Sequence, residues 1–373
     1  MTGGSATVVV NNHNYGRYLR EAIDSALAQT HRNLQVIVVD DGSTDDSRRT
    51  IEAYGGDVLA IAKTNGGQAS AYNAAMPHVA GDVVVFLDAD DTLAPAAVAV
   101  AVDRMSPTCV KATWRMSEID AAGRRTGTTP TGLLPEGNLR DLVLDVGPDS
   151  YLSAPGSGNA WARSFLNEVC PVPEHPYRRG ADGFLITIAP LYGEVAAVDD
   201  VLGCYRVHGG NGFWAPTLLE RTTGSLERYR HRHRSLELHR RRLGFDAAPD
   251  QWEERNPYVR WLLDVLDALR AIERIVEPGG SFVIVDDDQL GTALVQGRRG
   301  MSLLEEGGSP SDDRHAIDAL ERRAAQGVQT IAIAWTASWW LSSYPEFAAH
   351  LRRRAVVRED RGSITVFELR SDA

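Results

Sequence analysis

Apolar runs that end abruptly in polar side chains recur along the first hundred residues of the chain. Residues 6–12, 36–41 and 84–91 each begin with β-branched or other apolar residues and end in Asn or Asp. Such runs predict buried strands, and the stretches between them have helical character. Together they predict a parallel α/β sheet. Because ligands bind such sheets at the carboxyl ends of the strands, the polar residues stand where a site is expected.

A second series of apolar segments follows residue 215. Residues 217–243 carry Leu and Tyr at spacings of three, four and seven, which predicts a helix with one apolar stripe and arginine-rich faces. The later pattern predicts helices at 258–276, 312–327 and 344–354 and strands at 281–288, 328–338 and 362–369. The segments expected from these patterns are an N-terminal α/β domain at 1–215, a helical linker region at 216–278 and a C-terminal α/β accessory domain at 279–373.

Composition limits the class of protein. With 373 residues, of which 43% are hydrophobic, the chain is long enough for two folded domains. A net charge of −11 argues against nucleic-acid binding, which favours a basic surface. Three irregularly spaced cysteines indicate neither a zinc site nor a disulfide framework and suit a reducing cytoplasm. With no signal peptide and no long apolar run, we expect a cytoplasmic protein without a transmembrane span.

The acids that end the third apolar run are the first candidates for chemistry. In an extended strand, Asp88 and Asp90 point to the same side. Two carboxylates on one side suit a hard divalent cation, Mg²⁺ or Mn²⁺. The alternative is structural, with Asp91 or Thr92 capping a helix that has Pro95 in its first turn.

Polar residues at the ends of the other two runs are candidates for ligand binding. Asp40 and Asp41 can accept hydrogen bonds from a nucleobase or a ribose hydroxyl, although Asp-Gly-Ser is also ideal for a plain strand-to-helix turn. The first strand ends in the same way, at Asn12 and Asn14. A glycine-containing turn at 63–76 leads into a helix, whose N-terminus favours a phosphate, or it is ordinary loop punctuation.

Four sequence blocks together resemble a known family. VVVNNHNYGRYLREAIDSALAQT, VIVVDDGSTDDS, NGGQASAYNAA and GDVVVFLDADD follow one another in the order and spacing of the family 2 glycosyltransferases. The resemblance is close over residues 6–105 and looser to about 215. It implies an α/β fold of the GT-A type, a nucleotide-diphospho-sugar transferase domain with a Rossmann-like, mostly parallel sheet. A helical linker and a second small α/β domain would follow.

The resemblance assigns roles to these candidates. Asp40 and Asp41 would contact the base, Asp88 the ribose or a metal-bound water, and Asp90 a Mn²⁺ or Mg²⁺ ion on the donor diphosphate. The donor-binding residues that we expect are Asn12, Asn14, Asp40, Asp41, Asn65, Gly67, Asp88 and Arg206. The metal ligands that we expect are Asp90, His208 and Asp88.

The expected general base is Asp182. By resemblance, the acid at this place removes the proton from the acceptor hydroxyl, and it usually follows another acid, where this chain has Ala181. The structural alternative is a loop aspartate that caps a helix beginning near Phe184.

Arg206 and His208 lie in a Tyr-Arg-Val-His segment that is similar to one in the family. There the histidine approaches the diphosphate or its metal. The arginine can pair with a phosphate in bidentate fashion. A lone histidine is more often structural than catalytic, and that alternative stays open.

These assignments imply an inverting, metal-dependent glycosyltransferase. If Asp182 is the base, the acceptor displaces the leaving group directly, and no second carboxylate has to act as a nucleophile. The resemblance implies a nucleotide-sugar donor, usually a UDP-sugar, and a glycan, lipid-linked or small-molecule acceptor that the region 106–175 shapes. The reaction would belong to bacterial cell-surface polysaccharide or glycoconjugate biosynthesis.

Two other classes of protein stay open. Ala181 keeps a non-catalytic nucleotide-sugar-binding or scaffold protein in view. A nucleotidylyltransferase is disfavoured, because the first strand leads into Asn12 and Asn14 instead of a glycine-rich loop. The basic face of 217–243 is either solvated or a peripheral contact with anionic lipid at the inner face of the membrane.

Overall fold

The computed structural model describes residues 4–209 and 217–370. Contacts between them define two compact units. The first unit comprises the described residues up to 209 together with Arg228–Asn256, and the second comprises residues 217–227 and those from Pro257 onward.

The described part of the first unit contains one mixed sheet. Its strands are β1 (Ala6–Asn12), β2 (Leu34–Asp41), β3 (Leu59–Lys63), β4 (Val83–Asp88), β5 (Thr92–Leu93), β6 (Cys109–Ile119), β7 (Arg125–Thr129), β8 (Asn159–Ala162) and β9 (Glu194–Arg206). They lie in the order β3-β2-β1-β4-β8-β6-β9-β5, and β7 pairs with β6. The four strands β3, β2, β1 and β4 are parallel, whereas β8 is antiparallel to both its neighbours. The predicted α/β class is confirmed.

Helices cover this sheet. Those of the first unit are α1 (Gly16–Leu27), α2 (Ser47–Glu52), α3 (Gln68–Ala75), α4 (Ala97–Arg104), α5 (Arg140–Val146), α6 (Arg163–Val169), α7 (Ala181–Tyr192) and α9 (Trp252–Arg255). Helix α8 (Leu218–Leu243) contributes residues to both units and confirms the helix predicted from the leucine stripe.

The apolar runs bury both faces of the central strands. Because side chains alternate along a strand, Val8 and Val10 of β1 belong to one core with Leu19 of α1, and Val9 belongs to a second core with Tyr72 of α3. Each of these five side chains is at most 1% exposed. Strands buried on both faces read as continuous apolar runs, which is the pattern that predicted them.

The register of the parallel strands aligns their polar ends. Asn12 at the end of β1 is opposite Asp40 of β2, and Asn11 is opposite Asp88 of β4. The side chains predicted as a ligand site therefore meet at one edge of the sheet, as the carboxyl ends of parallel strands must.

The second unit is a smaller α/β unit. Its strands are β10 (Ser281–Val285), β11 (Arg299–Ser302), β12 (Thr330–Ala334), β13 (Ala355–Arg361) and β14 (Ile364–Leu369), in the order β11-β10-β12-β14-β13. Its helices are α10 (Pro257–Ile275), α11 (Asp313–Ala325), α12 (Trp340–Ser343) and α13 (Pro345–Arg354). This confirms the predicted C-terminal α/β segment. Sequence patterns missed β11 and β13, because neither contains a continuous apolar run.

Among the helices of the described residues, none has both the length and the apolar character that crossing a bilayer requires.

Candidate active site

The loop after β3 is held against the end of β2 by one carboxylate. Asp41 is 3% exposed and accepts hydrogen bonds from Lys63 Nζ at 2.6 Å, Gly66 N at 2.9 Å and Gly67 N at 2.6 Å. Asn65 donates to the Asp41 carbonyl at 3.2 Å and accepts from Arg178. Asp41, Asn65 and Gly67 are thus brought together as a loop clamp, and their contact with a donor stays a prediction.

Asp40 and Asn12 form a second buried pair, with exposures of 3% and 2%. Asn12 Nδ2 donates to Asp40 Oδ1 at 3.3 Å and to Ser43 Oγ at 3.0 Å. Asp40 Oδ2 and Asn12 Oδ1 have no hydrogen-bond partner among the described residues. Buried acceptors without donors are uncommon, so this pair suits a ligand that brings N–H or O–H groups.

Asn14 has a different position from Asn12. Its backbone is left-handed, with φ 59°, and its side-chain Oδ1 accepts from Thr44 N at 2.7 Å. It therefore ties the loop after β1 to the loop after β2, and its predicted contact with the donor stays a prediction.

Replacing Gly42 by alanine should destabilise the packing of the loop after β2 against the loop after β3. Gly42 has φ +73°, and a Cβ there would lie 2.7 Å from Asn65 N, a backbone atom. We expect Gly42→Ala to lower the free energy of unfolding by about 1–3 kcal/mol, measured by urea denaturation. Gly56→Ala is the matched control, because a Cβ at Gly56 meets no atom within 4 Å. Equal stability of the two variants would contradict this account of Gly42.

The acidic run after β4 is held by polar neighbours. Asp88 Oδ1 accepts from Asn11 Nδ2 at 2.9 Å and from Gln68 Nε2 at 3.1 Å. Asp88 N donates to Ser157 Oγ at 3.0 Å. The structural alternative for this run, a helix cap, is wrong. The residues that follow the run form the short strand β5, and helix α4 begins only at Ala97.

Burial is the main influence on the carboxylates of this run. Burial, followed by the Asp90 and Asp182 carboxylates, raises the pKa of Asp88 to about 7. Burial also raises the pKa of Asp90, and burial with the neighbouring acids raises the pKa of Asp91. A bound cation would favour the charged forms of these buried acids.

A divalent metal fits the donor set at Asp90. His208 Nε2 lies 3.1 Å from Asp90 Oδ2, so a carboxylate and an imidazole meet here, with Asp88 nearby in the same run. No three His, Cys, Asp or Glu side chains converge on one point within residues 4–209 and 217–370. The protein would therefore supply few of the ligands, which suits Mg²⁺, an ion that keeps several waters. The ligand roles of Asp88, Asp90 and His208 stay predictions.

Arg206 lies inside the unit instead of lining an open cleft. It is 2% exposed, its Nε donates to the Asp90 carbonyl at 2.9 Å, and its Nη2 donates to Glu21 at 2.5 Å. Its guanidinium also lies 4.6 Å from the ring centroid of Tyr18. These contacts fix the backbone of the acidic run, and a contact of Arg206 with phosphate stays a prediction.

Asp182 occupies the first turn of α7. It is neither in a loop nor a cap before Phe184, because the helix begins at Ala181. Burial raises the pKa of Asp182, and the Arg232 charge opposes that rise. A Cβ on Gly156 would lie 3.5 Å from Asp182 Oδ2, and the next residue, Ser157, accepts from Asp88 N, so the same short turn lies beside both acids.

Three further residues belong to this site, and sequence reasoning missed their roles. Gln68 donates to Asp88 and accepts from the backbone N–H groups of Gly180 and Ala181, both at 2.9 Å, so it links the acidic run to the start of α7. Lys111 and Arg232 place positive charge near Asp182. Lys111 could have been noticed as a charged residue inside the apolar run of β6. Gln68 could have been noticed because it lies in NGGQASAYNAA, one of the four blocks that resemble the family.

Known proteins resemble the chain as follows. Residues 7–139 match the family described as Glycosyl transferase family 2. An uncharacterized glycosyltransferase of Nostoc sp. is 34% identical over 212 residues, which are 55% of this chain and 65% of the relative. The chondroitin synthase of Pasteurella multocida is 40% identical over 95 residues, 25% of this chain and 10% of that protein. The chain thus spans less than two thirds of the length of these relatives.

Solved structures give the following similarities. The mannosyltransferase PcManGT from Pyrobaculum calidifontis, in complex with GDP-Man and Mn²⁺, has a TM-score of 0.48 and 18% identity over 74% of this chain and 76% of its own. S. aureus TarS in complex with UDP-GlcNAc has a TM-score of 0.46 and 18% identity over 72% and 87%.

The family match covers the part of the chain that builds the polar edge of the sheet. It contains the ends of β1, β2 and β4 and the loop before α3, which are the four blocks that carried the resemblance. The predicted GT-A fold is confirmed, with a second α/β unit as its C-terminal addition. Residues 7–139 thus form a glycosyltransferase family 2 domain.

Proposed function

We propose that this protein transfers a sugar from a nucleoside-diphosphate donor to a hydroxyl acceptor, with inversion at the anomeric carbon and dependence on a divalent metal. The observation that carries the proposal is the convergence of two kinds of acid. Asp88 and Asp90 lie at the end of β4, and Asp182 at the start of α7 raises the pKa of Asp88 through its charge. Gln68 links Asp88 to the backbone just before Asp182, because it donates to the Asp88 carboxylate and accepts from Gly180 N and Ala181 N.

Donor binding is divided between two parts of the edge. The free acceptors of Asp40 and Asn12 would receive N–H or O–H groups of the nucleoside. Asp90 and His208, with Asp88, would hold the metal, which supplies positive charge for the diphosphate leaving group.

Asp182 would act as the general base. Its carboxylate would take the proton of the acceptor hydroxyl while that oxygen bonds to the anomeric carbon and the bond to the diphosphate oxygen breaks. The nucleoside diphosphate would leave with the electron pair. A pKa raised by burial makes a carboxylate a stronger base, provided that it stays ionised at the working pH.

Asp90→Asn tests the metal site. We expect this variant to weaken Mn²⁺-dependent donor binding by about 10–100-fold in isothermal titration, because it removes a charged ligand beside His208. Asp57→Asn, at an exposed acid far along the chain from the run, is the matched control. Donor affinity that stays metal-dependent and unchanged in Asp90→Asn would refute the metal assignment.

The nucleotide can be identified by ligand-induced stabilisation. A UDP-sugar is the donor that the family resemblance favours, with thymidine and guanosine donors as the alternatives. A panel of nucleotide sugars with Mn²⁺ in a thermal-shift assay would separate them, because a bound ligand raises the melting temperature by mass action. The acceptor would be a glycan, a lipid-linked or a small molecule bound by the region 106–175.

A non-catalytic nucleotide-sugar-binding protein is the second candidate. The observation that favours it is the first residue of α7: Ala181 is fully buried and offers no second acid beside Asp182. Hydrolysis or transfer of a bound donor in the presence of Mn²⁺ would exclude this candidate, whereas binding without turnover of any donor would support it.

A further inference from the structure

The arginine-rich helix α8 does not present all its arginines to solvent. Arg232, within the part of α8 that belongs to the first unit, is only 20% exposed and forms an ion pair with Asp149. Other arginines of this helix also pair with acids, Arg240 and Arg241 with Glu237. The predicted contact of this face with lipid headgroups therefore gains no support, and Arg232 needs a separate explanation.

The guanidinium of Arg232 lies against the first turn of α7. A Cβ added to Gly183 would lie 2.8 Å from Arg232 Nε and 3.0 Å from its Nη2. Gly183 is the residue after Asp182, so the absence of a side chain there is what admits the guanidinium.

This position is unfavourable for a cation unless acids compensate. The N-terminus of a helix carries partial positive charge, which repels Arg232 from the start of α7. Burial adds a second cost, since an unpaired buried cation is expensive. Two carboxylates offset these costs, namely Asp149, which pairs with the guanidinium, and Asp182, whose charge attracts it.

Asp182 is surrounded by charged and titratable groups from five elements. The positive ones are Arg232 of α8 and Lys111 of β6, and Arg232 has the larger effect in holding down the pKa of Asp182. The remaining groups are titratable side chains whose pKa values the Asp182 charge helps to raise. They are Asp88 of β4, Tyr72 of α3 and Tyr205 of β9.

We infer that Arg232, anchored by Asp149 and packed against Gly183, is a positioning residue that holds positive charge beside the Asp182 carboxylate during proton abstraction. Helix α8, which lies outside the matched family segment, would then complete the active site. The catalytic consequence rests on the proposed function, whereas the physical coupling between Arg232 and Asp182 does not.

A double-mutant cycle tests the coupling without any assay of activity. The variants are Asp182→Asn, Arg232→Gln and the two combined, and the measurement is the midpoint of urea unfolding near neutral pH. We expect Arg232→Gln to lower the midpoint less in the Asp182→Asn background than in the wild type, because the attraction is already lost. Arg230→Gln, an exposed arginine of the same helix, should lower the midpoint equally in both backgrounds. Additive effects of Arg232→Gln would overturn the inference.

Kinetics test the catalytic consequence. Arg232→Gln should lower kcat for transfer by roughly ten- to hundredfold with little change in the KM for the donor, and Arg232→Lys should restore part of the rate. An unchanged kcat in Arg232→Gln, in an active enzyme, would overturn the positioning role. If the wild type transfers no sugar, the proposed function fails, and the unfolding cycle still decides whether Arg232 and Asp182 are coupled.

Discussion

Asp182→Asn is expected to lower the rate of sugar transfer by about 10²–10⁴-fold, because a positioned general base contributes that much. The substitution keeps the size of the side chain and removes the basic oxygen. The donor contacts proposed for Asp40, Asn12 and Asp90 stay in place, so the dissociation constant of the donor should change little. Steady-state kinetics with saturating donor, combined with donor titration, measures the two effects separately.

The pH dependence of the wild type provides a second check on Asp182. Burial raises the pKa of this carboxyl, and only its ionised form can accept a proton. The rate of transfer should therefore fall as the pH drops through that raised pKa, and this acidic limb should be absent in Asp182→Asn. Asp199→Asn, at an acid that pairs with Arg115, is the control and should keep both the rate and the limb. Full activity of Asp182→Asn would move the base to another residue.

The strands β1, β2 and β4, which are buried on both faces, were predictable from the sequence, whereas the edge strand β13 was not. β1, β2 and β4 are continuous apolar runs because each contacts a core on either side. β13 contains Arg358, Glu359 and Asp360 and pairs with β14 alone, so its sequence resembles a loop. The pattern reports burial, and an edge strand that is half exposed gives little pattern to find.

The edge of the sheet where the site lies was predictable for the same reason. Polar residues that end three buried runs must emerge at the same edge when the strands are parallel, and the register of Asn12 with Asp40 shows this. The division of labour between adjacent acids was not predictable. The Asp41 carboxylate accepts hydrogen bonds from the loop after β3, whereas Asp40 Oδ2 has no partner among the described residues. This difference depends on the path of that loop, which the sequence does not reveal.

Contacts between distant segments were beyond sequence reasoning. Arg232 reaches Asp149 across 83 positions and Asp182 across about 50, and nothing in the local pattern of α8 distinguishes it from exposed Arg230 or Arg234. A buried charged residue such as Arg232 departs from the usual pattern of apolar residues inside and charged residues outside. Such a residue needs a compensating partner, and that partner can come from a distant segment.

Lys111→Met is expected to stabilise the protein at neutral and acidic pH. Lys111 is fully buried on β6, and burial lowers its pKa to about 7. Its Nζ donates to Ser153 Oγ at 2.7 Å and lies 4.9 Å from the ring centroid of Tyr151. Methionine has a similar length and no charge. Ser153 would keep its contact with Asn159 at 3.1 Å, so the loss of hydrogen bonding is small.

The sign of the pH dependence follows from the lowered pKa. The unfolded chain binds the proton of Lys111 up to about pH 10.5, whereas the folded protein releases it near 7. Between these values the unfolded state holds more protons, so the stability of the wild type rises with pH relative to Lys111→Met, by at most about 5 kcal/mol. Below about pH 7 the difference is constant and favours the variant. Urea unfolding of both proteins across this range measures it.

The chain contains only two lysines, which makes this pKa directly measurable. With ¹³C-labelled lysine, the side-chain resonances of Lys63 and Lys111 can be assigned by their loss in Lys63→Met and Lys111→Met. A Lys111 resonance that titrates near 10.5 would refute the burial account. If it titrates near 7, Lys111→Met should also transfer sugar more slowly, because its charge faces Asp182. Greater stability with lower activity in one variant would show that the buried lysine is retained for the reaction and not for the fold.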